Sequence, residues 1–260
     1  MSINNKLINF AQKELVLAHS ATERDRIKRS LANLENILAD KLGNHIAAFV
    51  RFGSYTRNTI LPRKYDLRSD IDLLVIFNTE TVHYAPDTYR KWLLDVINKA
   101  YPNSVSKKNA PAVKLELNHI MFDIVPAYYI AGRKNIINYY IPGKGGAWQS
   151  TVPNDINEAL SKINQDYGGN IYRNVIRLCK HWNAGYGYPY QSYLLEKYIL
   201  SLKFRGGKNT EACFLEVMAI IAKNMADVNQ ALRWIKEYGK REEEEKQVMW
   251  LQKLLPEFGY

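Results

Sequence analysis

Residues 71–77, Ile-Asp-Leu-Leu-Val-Ile-Phe, constrain the fold more than any other stretch of this chain. A nearly unbroken run of β-forming side chains suits a strand buried on both faces, inside a sheet. The run opens with a conflict. Asp70 and Asp72 stand two apart, so on an extended segment their carboxylates project from the same side. Neighbouring carboxylates repel and raise one another's pKa unless positive charge lies between them. Magnesium meets that need, because it takes carboxylate oxygens and completes its shell with water and phosphate.

The rest of the chain divides around this strand. The first forty residues predict two helices, with stripes at Leu7, Ile8, Phe10 and Ala11 and at Ile27, Leu31, Leu34, Ile37 and Leu38. Ile46–Phe52 reads as a strand ended by Gly53, and Tyr89–Ala100 has helical periodicity. Val113–Leu117 and Ile120–Val125 read as a hairpin about Asn118-His119, with Pro126 ending its second strand. After Pro153 the pattern is helical almost throughout: 155–165, 170–183, 191–203, 210–224, 227–238 and 242–254. The prediction is an α+β protein with a mixed α/β lobe at 1–150 and an all-helical lobe at 151–260.

Composition narrows the function classes. Residues 1–150 carry 21 basic and 13 acidic side chains, against 15 and 13 in 151–260. A basic lobe suits a polyanion, either nucleoside triphosphates or nucleic acid, and charge alone does not choose between them. No segment approaches the roughly 20 apolar residues of a membrane span, and the first twenty residues lack the apolar core of a secretory signal. A cytoplasmic protein is expected. Cys179 and Cys213 are too few for a disulfide framework or a four-cysteine zinc site, and both read as buried small apolar side chains.

Two further features join the aspartate pair. Gly53-Ser54 ends a strand where a turn or helix begins; glycine admits a ligand close to the backbone, and free amides there favour phosphate. Asp123 lies in an apolar strand, where an unpaired aspartate is costly. It is the expected third ligand if two metal ions are held, with Glu116 as a weaker rival on the same face. If Asn118-His119 is a two-residue turn, Asp123 lies opposite Lys114, and a simple cross-strand ion pair is the competing explanation.

The order strand, Gly-Ser, loop, Asp-x-Asp on a buried strand, then aspartate on a later strand resembles the DNA polymerase β-like nucleotidyltransferase superfamily. Tyr55–Ser69 makes the intervening loop slightly longer than usual there. The runs FGSYTRNT…SDIDL, VKLEL…FDIVPAYY, IPGKGGAWQSTVP, IRLCKHW and QSYLLE narrow the likeness. They resemble bacterial CD-NTases, relatives of oligoadenylate synthase and cyclic GMP-AMP synthase that make nucleotide second messengers in anti-phage defence. The likeness is specific in the first half of the chain and looser after residue 205.

This resemblance implies a polymerase-β-like catalytic lobe and a Mg²⁺-dependent enzyme. Two ions would be held by Asp70, Asp72 and Asp123, with Mn²⁺ able to substitute. It implies that Gly53, Ser54, Lys180 and Ser192 contact the donor triphosphate and that Tyr193 stacks on a base. Nucleoside triphosphates are then donor and acceptor, nucleic acid is not the favoured partner, and a monomer is expected. Trp148 reads as packing, and Tyr186, Tyr188 and Tyr190 as either a base pocket or a cover for the helical lobe. His19, His45, His83, His119 and His181 lack metal-ligand spacing and read as surface or turn residues. The alternatives are an RNA-tailing transferase with the same metal site and an inactive nucleotide-binding protein. All three carboxylate positions are filled, which argues against inactivity.

Overall fold

The computed structural model describes residues 1–17, 21–79, 83–109, 111–131, 137–204 and 207–259. In chain order the elements are α1 (Ile3–Asn9), α2 (Ala21–Leu42), β1 (Ile46–Phe52), α3 (Gly53–Thr56), β2 (Asp70–Phe77) and α4 (Pro86–Ala100). Strands β3 (Val105–Asn109), β4 (Ala112–Glu116), β5 (Met121–Ala131), β6 (Ile137–Pro142) and β7 (Trp148–Thr151) follow. Helices α5 (Asn157–Tyr167), α6 (Ile171–Gly185), α7 (Ser192–Ser201), α8 (Thr210–Ile221), α9 (Ala226–Lys240) and α10 (Glu244–Leu254) complete the chain. Among the described residues no helix is long and apolar enough to cross a membrane.

The elements form two compact units: Ser20–Arg57 with Arg68–Asp155, and Met1–His19 with Asn58–Leu67 and Ile156–Tyr260. The first is built on a mixed sheet in the order β1-β2-β5-β4-β3, with β6 and β7 extending from β5 as an antiparallel ribbon. Strand β2 is flanked by β1, antiparallel, and β5, parallel. It is buried continuously from Leu73 to Phe77, as its composition requires. Helix α2 buries Ile27, Leu31, Leu34 and Leu38, one stripe at helical spacing. Helix α4 starts on Pro86, which lacks the N–H that a first turn would leave unused, and buries Tyr89, Leu93 and Ile97. Trp148 packs against Tyr89 and Tyr128 and donates its indole N–H to Tyr84 O at 3.3 Å.

Pro126 does not end β5, contrary to the sequence expectation. Pairing with β4 stops at Ile124 and pairing with β6 starts at Tyr128, so the proline falls where that edge lies between partners. There its missing N–H breaks no ladder bond on that edge.

The helical unit is not one continuous stretch. Ile3, Leu7, Phe10 and Ala11, and Leu61 and Tyr65 from the segment after α3, belong to the same core as Trp182, Phe214 and Phe258. The expected division at residue 150 therefore needs amendment: parts of the first 150 residues bury their apolar faces in the helical core. At the centre lies α6, buried along nearly its whole length, including Arg177, Lys180, His181 and Asn183. Tyr186 and Tyr190 lie against Trp182 and donate to the carbonyls of Lys253 and Ile221, while Tyr188 donates to Asp66. Within this unit they serve as cover. Both cysteines are buried, and burial pushes the Cys213 thiol up to about 11.

His181 corrects another expectation. It is not a surface residue: it is 5% exposed, packs edge-on against Phe10 and Tyr65, and donates Nε2–H to Pro256 O at 2.8 Å. Burial lowers its pKa below the usual 6.5, so folding favours the neutral ring. The unfolded chain then binds more protons as pH falls through that value, so stability declines there and levels off below the folded pKa. The urea midpoint is expected to drop between about pH 7.5 and pH 5.5. His181→Gln, which keeps a donor but cannot titrate, should flatten that drop; an equal drop in the variant would rule out His181 as the cause.

Candidate active site

Strand register assembles the carboxylates. Asp72 on β2 lies beside Asp123 on β5, and Asp123 lies opposite Lys114 on β4, in one cross-strand row. Asp70, Met121 and Glu116 form the next row on the same face. The hairpin register anticipated from Asn118-His119 is thus the observed one, and so is the Lys114–Asp123 pair. Lys114 Nζ stands 2.8 Å from Asp123 Oδ1 and 3.9 Å from Asp70 Oδ2. Burial pulls the Lys114 pKa down, but Asp123, Asp70 and Asp72 together outweigh it and leave it raised.

Among the described residues no three His, Cys, Asp or Glu side chains converge closely enough to hold one ion. Like charges keep carboxylates apart when the cation beside them is a lysine on a long stem. The donor set nevertheless fits magnesium: three carboxylates occupy adjacent rows on one face. Asp123 Oδ1 is also buried. A buried carboxylate oxygen needs a cation beside it, and the Lys114 ammonium at 2.8 Å holds that place in this structure.

Gly53 closes the other side of this arrangement. Its φ is +75°, and a Cβ built there would lie 1.8 Å from Asp72 Oδ2. Glycine is needed twice over, for the left-handed backbone and for the close approach of Asp72. The short helix α3 that follows carries Ser54. Thr56 Oγ1 secures the turn by donating to Gly53 O at 2.9 Å, and it lies 3.1 Å from Asn154 Oδ1.

The residues expected to contact nucleotide from the helical unit lie on α6 and α7. Ser192 opens α7, and Tyr193 follows it, 43% exposed, with the Lys197 ammonium over its ring. Lys180 differs from the exposed cation that a helix lysine suggests. It is 4% exposed and donates to Thr59 O at 3.0 Å and Glu196 Oε1 at 3.2 Å. Thr59 Oγ1 donates to the same carboxylate. Beside it, Arg177 donates to Asn58 O and Ala11 O, and burial lowers its pKa to about 10. Sequence reasoning missed Glu196 and Arg177. Their signal was two charged residues within apolar helices, one turn from Lys180 and from Ser192.

The mixed sheet, the aspartate rows and the glycine turn define a polymerase-β-like nucleotidyltransferase fold. The model of the Second Messenger Oligonucleotide or Dinucleotide Synthetase domain matches residues 1–164, and the chain belongs to that family. A probable cyclic nucleotide synthase of Bacillus cereus is 30% identical over 184 residues, covering 58% of this chain and 54% of that protein. The chain thus aligns with about half the length of that relative. The solved structure of Escherichia coli CdnC with ATP matches 99% of this chain and 98% of its own, with a TM-score of 0.60 at 16% identity. Bradyrhizobium diazoefficiens CdnG with GTP matches 93% of this chain and 79% of its own, with a TM-score of 0.64 at 12% identity. At these identities the structural likeness is one of fold.

Proposed function

We propose that this protein is a magnesium-dependent nucleotidyltransferase that joins nucleoside triphosphates into cyclic di- or oligonucleotide second messengers, in bacterial anti-phage defence. The carrying observation is the row Asp72–Asp123 beside Asp70, with Gly53 shaped to the Asp72 carboxylate. Asp70, Asp72 and Asp123 would hold the metal. Bound magnesium supplies charge neutralisation at the phosphates and a more acidic acceptor hydroxyl. The acceptor ribose oxygen attacks the α-phosphorus of the donor in line, a P–O bond forms, and pyrophosphate leaves with the electrons of the broken bond. The turn at Gly53 and Ser54 presents backbone to the polyphosphate, and orientation of the two reactants supplies much of the remaining rate. A second transfer within the linear intermediate closes the ring.

In the helical unit we assign Ser192 to donor phosphate and Tyr193 to base stacking. Lys180 takes the phosphate role implied by the family resemblance only by exchanging the Glu196 carboxylate for phosphate. Tyr193→Ala is expected to weaken NTP binding by about 1–3 kcal/mol, with Tyr193→Phe nearly unaffected because the face, not the hydroxyl, does the stacking. Isothermal titration with a non-hydrolysable NTP checks this; equal affinities for wild type and Tyr193→Ala would remove the assignment.

The deciding experiment is incubation with all four NTPs and MgCl₂ or MnCl₂, followed by mass spectrometry and alkaline phosphatase treatment. Cyclic products lack terminal phosphate and resist the phosphatase. With an RNA added, extension of its 3′ end and no cyclic product would instead establish the tailing reading, which the basic charge of residues 1–150 also fits.

A further inference from the structure

Lys114 has no part in the transfer as described, yet its ammonium lies beside Asp123 and Asp70 and also feels the charge of Asp72. Its side chain is 22% exposed and that of Asp123 is 19% exposed, so the pair is partly open to solvent on the face of the sheet. The ammonium approaches Asp123 Oδ1 to 2.8 Å and Asp70 Oδ2 to 3.9 Å. Hydrogen bonding and coulombic attraction to Asp123 both favour the charged ammonium there. A lysine ammonium on a four-carbon stem can withdraw toward water, as a rigid guanidinium fork bound in bidentate fashion cannot.

We propose that Lys114 is a built-in counter-ion, which stands in for the divalent cation at Asp123 and yields that carboxylate when metal binds. It keeps three like charges in register on their strands before metal arrives, and it weakens metal affinity because every binding event must displace it. This rests on the reading of Asp70, Asp72 and Asp123 as the metal ligands.

The test is Mn²⁺ titration of the full chain without nucleotide, with free Mn²⁺ counted by electron paramagnetic resonance. Removing a positive charge a few ångströms from the ion should tighten Mn²⁺ binding by about tenfold in Lys114→Met. Lys114→Arg, with the charge kept, should stay within about twofold of wild type on the same reasoning. Melting curves supply a second readout: Lys114→Met should melt lower than wild type without metal and gain more from added MgCl₂. If Lys114→Met does not fold, Lys114→Gln serves in its place. Unchanged or weaker Mn²⁺ binding in the charge-removing variant, while Asp123→Asn abolishes binding, overturns the counter-ion role alone. Failure of the wild type to bind Mn²⁺ overturns the metal reading beneath it.

Discussion

Asp70→Asn combined with Asp72→Asn is expected to abolish product formation from NTPs while leaving the protein folded. The exchange removes two charges and almost no volume, so packing on β2 is unchanged. Removing like charges from one face also relieves repulsion, so the urea midpoint should hold or rise slightly. Catalysis has no such shelter. The two carboxylates supply most of the negative charge that would retain a divalent cation against the donor phosphates. Loss of comparable electrostatic groups costs about 3–4 kcal/mol each, which here means a rate at least ~10³-fold lower. Radiolabelled product analysis beside a urea titration measures both quantities. A double variant with the wild-type rate would remove the metal assignment and with it the proposed chemistry.

Much of the catalytic unit was legible because its signals are local. The β2 run reports burial on both faces through composition, and Asp-x-Asp reports a shared face through the two-residue period of a strand. Even the Lys114–Asp123 pairing follows from counting back from a two-residue turn. The end of β5 was misread because proline's meaning depends on which edge is paired, and that depends on β6, a strand the sequence reading did not predict. The division of the chain was misread for a similar reason. Leu61 and Tyr65 are ordinary loop residues in sequence; only a core completed by residues far later in the chain, from Leu160 to Phe258, shows why they are buried. Likewise, a helical stripe says that α6 has an apolar face but not that its polar face is enclosed too.

That enclosed polar face yields the second large effect, in Glu196→Ala. Lys180 and Glu196 are 4% and 1% exposed, and the carboxylate accepts from both the Lys180 ammonium and the Thr59 hydroxyl. Removing it leaves an ammonium in a dry site with only the Thr59 carbonyl among the partners described above, and Arg177 adds a second buried cation nearby. Breaking one side of a buried pair typically costs about 3–5 kcal/mol, mostly as the penalty of the stranded charge. The penalty falls on the segment that α6 grips, Asn58–Thr59, which leads from the glycine turn to the rest of Asn58–Leu67. Lys180→Met with Glu196→Leu removes both charges and should recover most of the loss, since a well-packed apolar pair can match a buried ion pair. Urea unfolding followed by tryptophan fluorescence measures all of these, with Trp182 on the same helix. A Glu196→Ala protein within about 1 kcal/mol of wild type would mean that water reaches the pair, contrary to its burial. The double variant also separates stability from substrate binding. If it folds with normal stability but its KM for NTP rises, Lys180 meets phosphate during turnover; if KM is unchanged, the lysine serves only to clamp the segment.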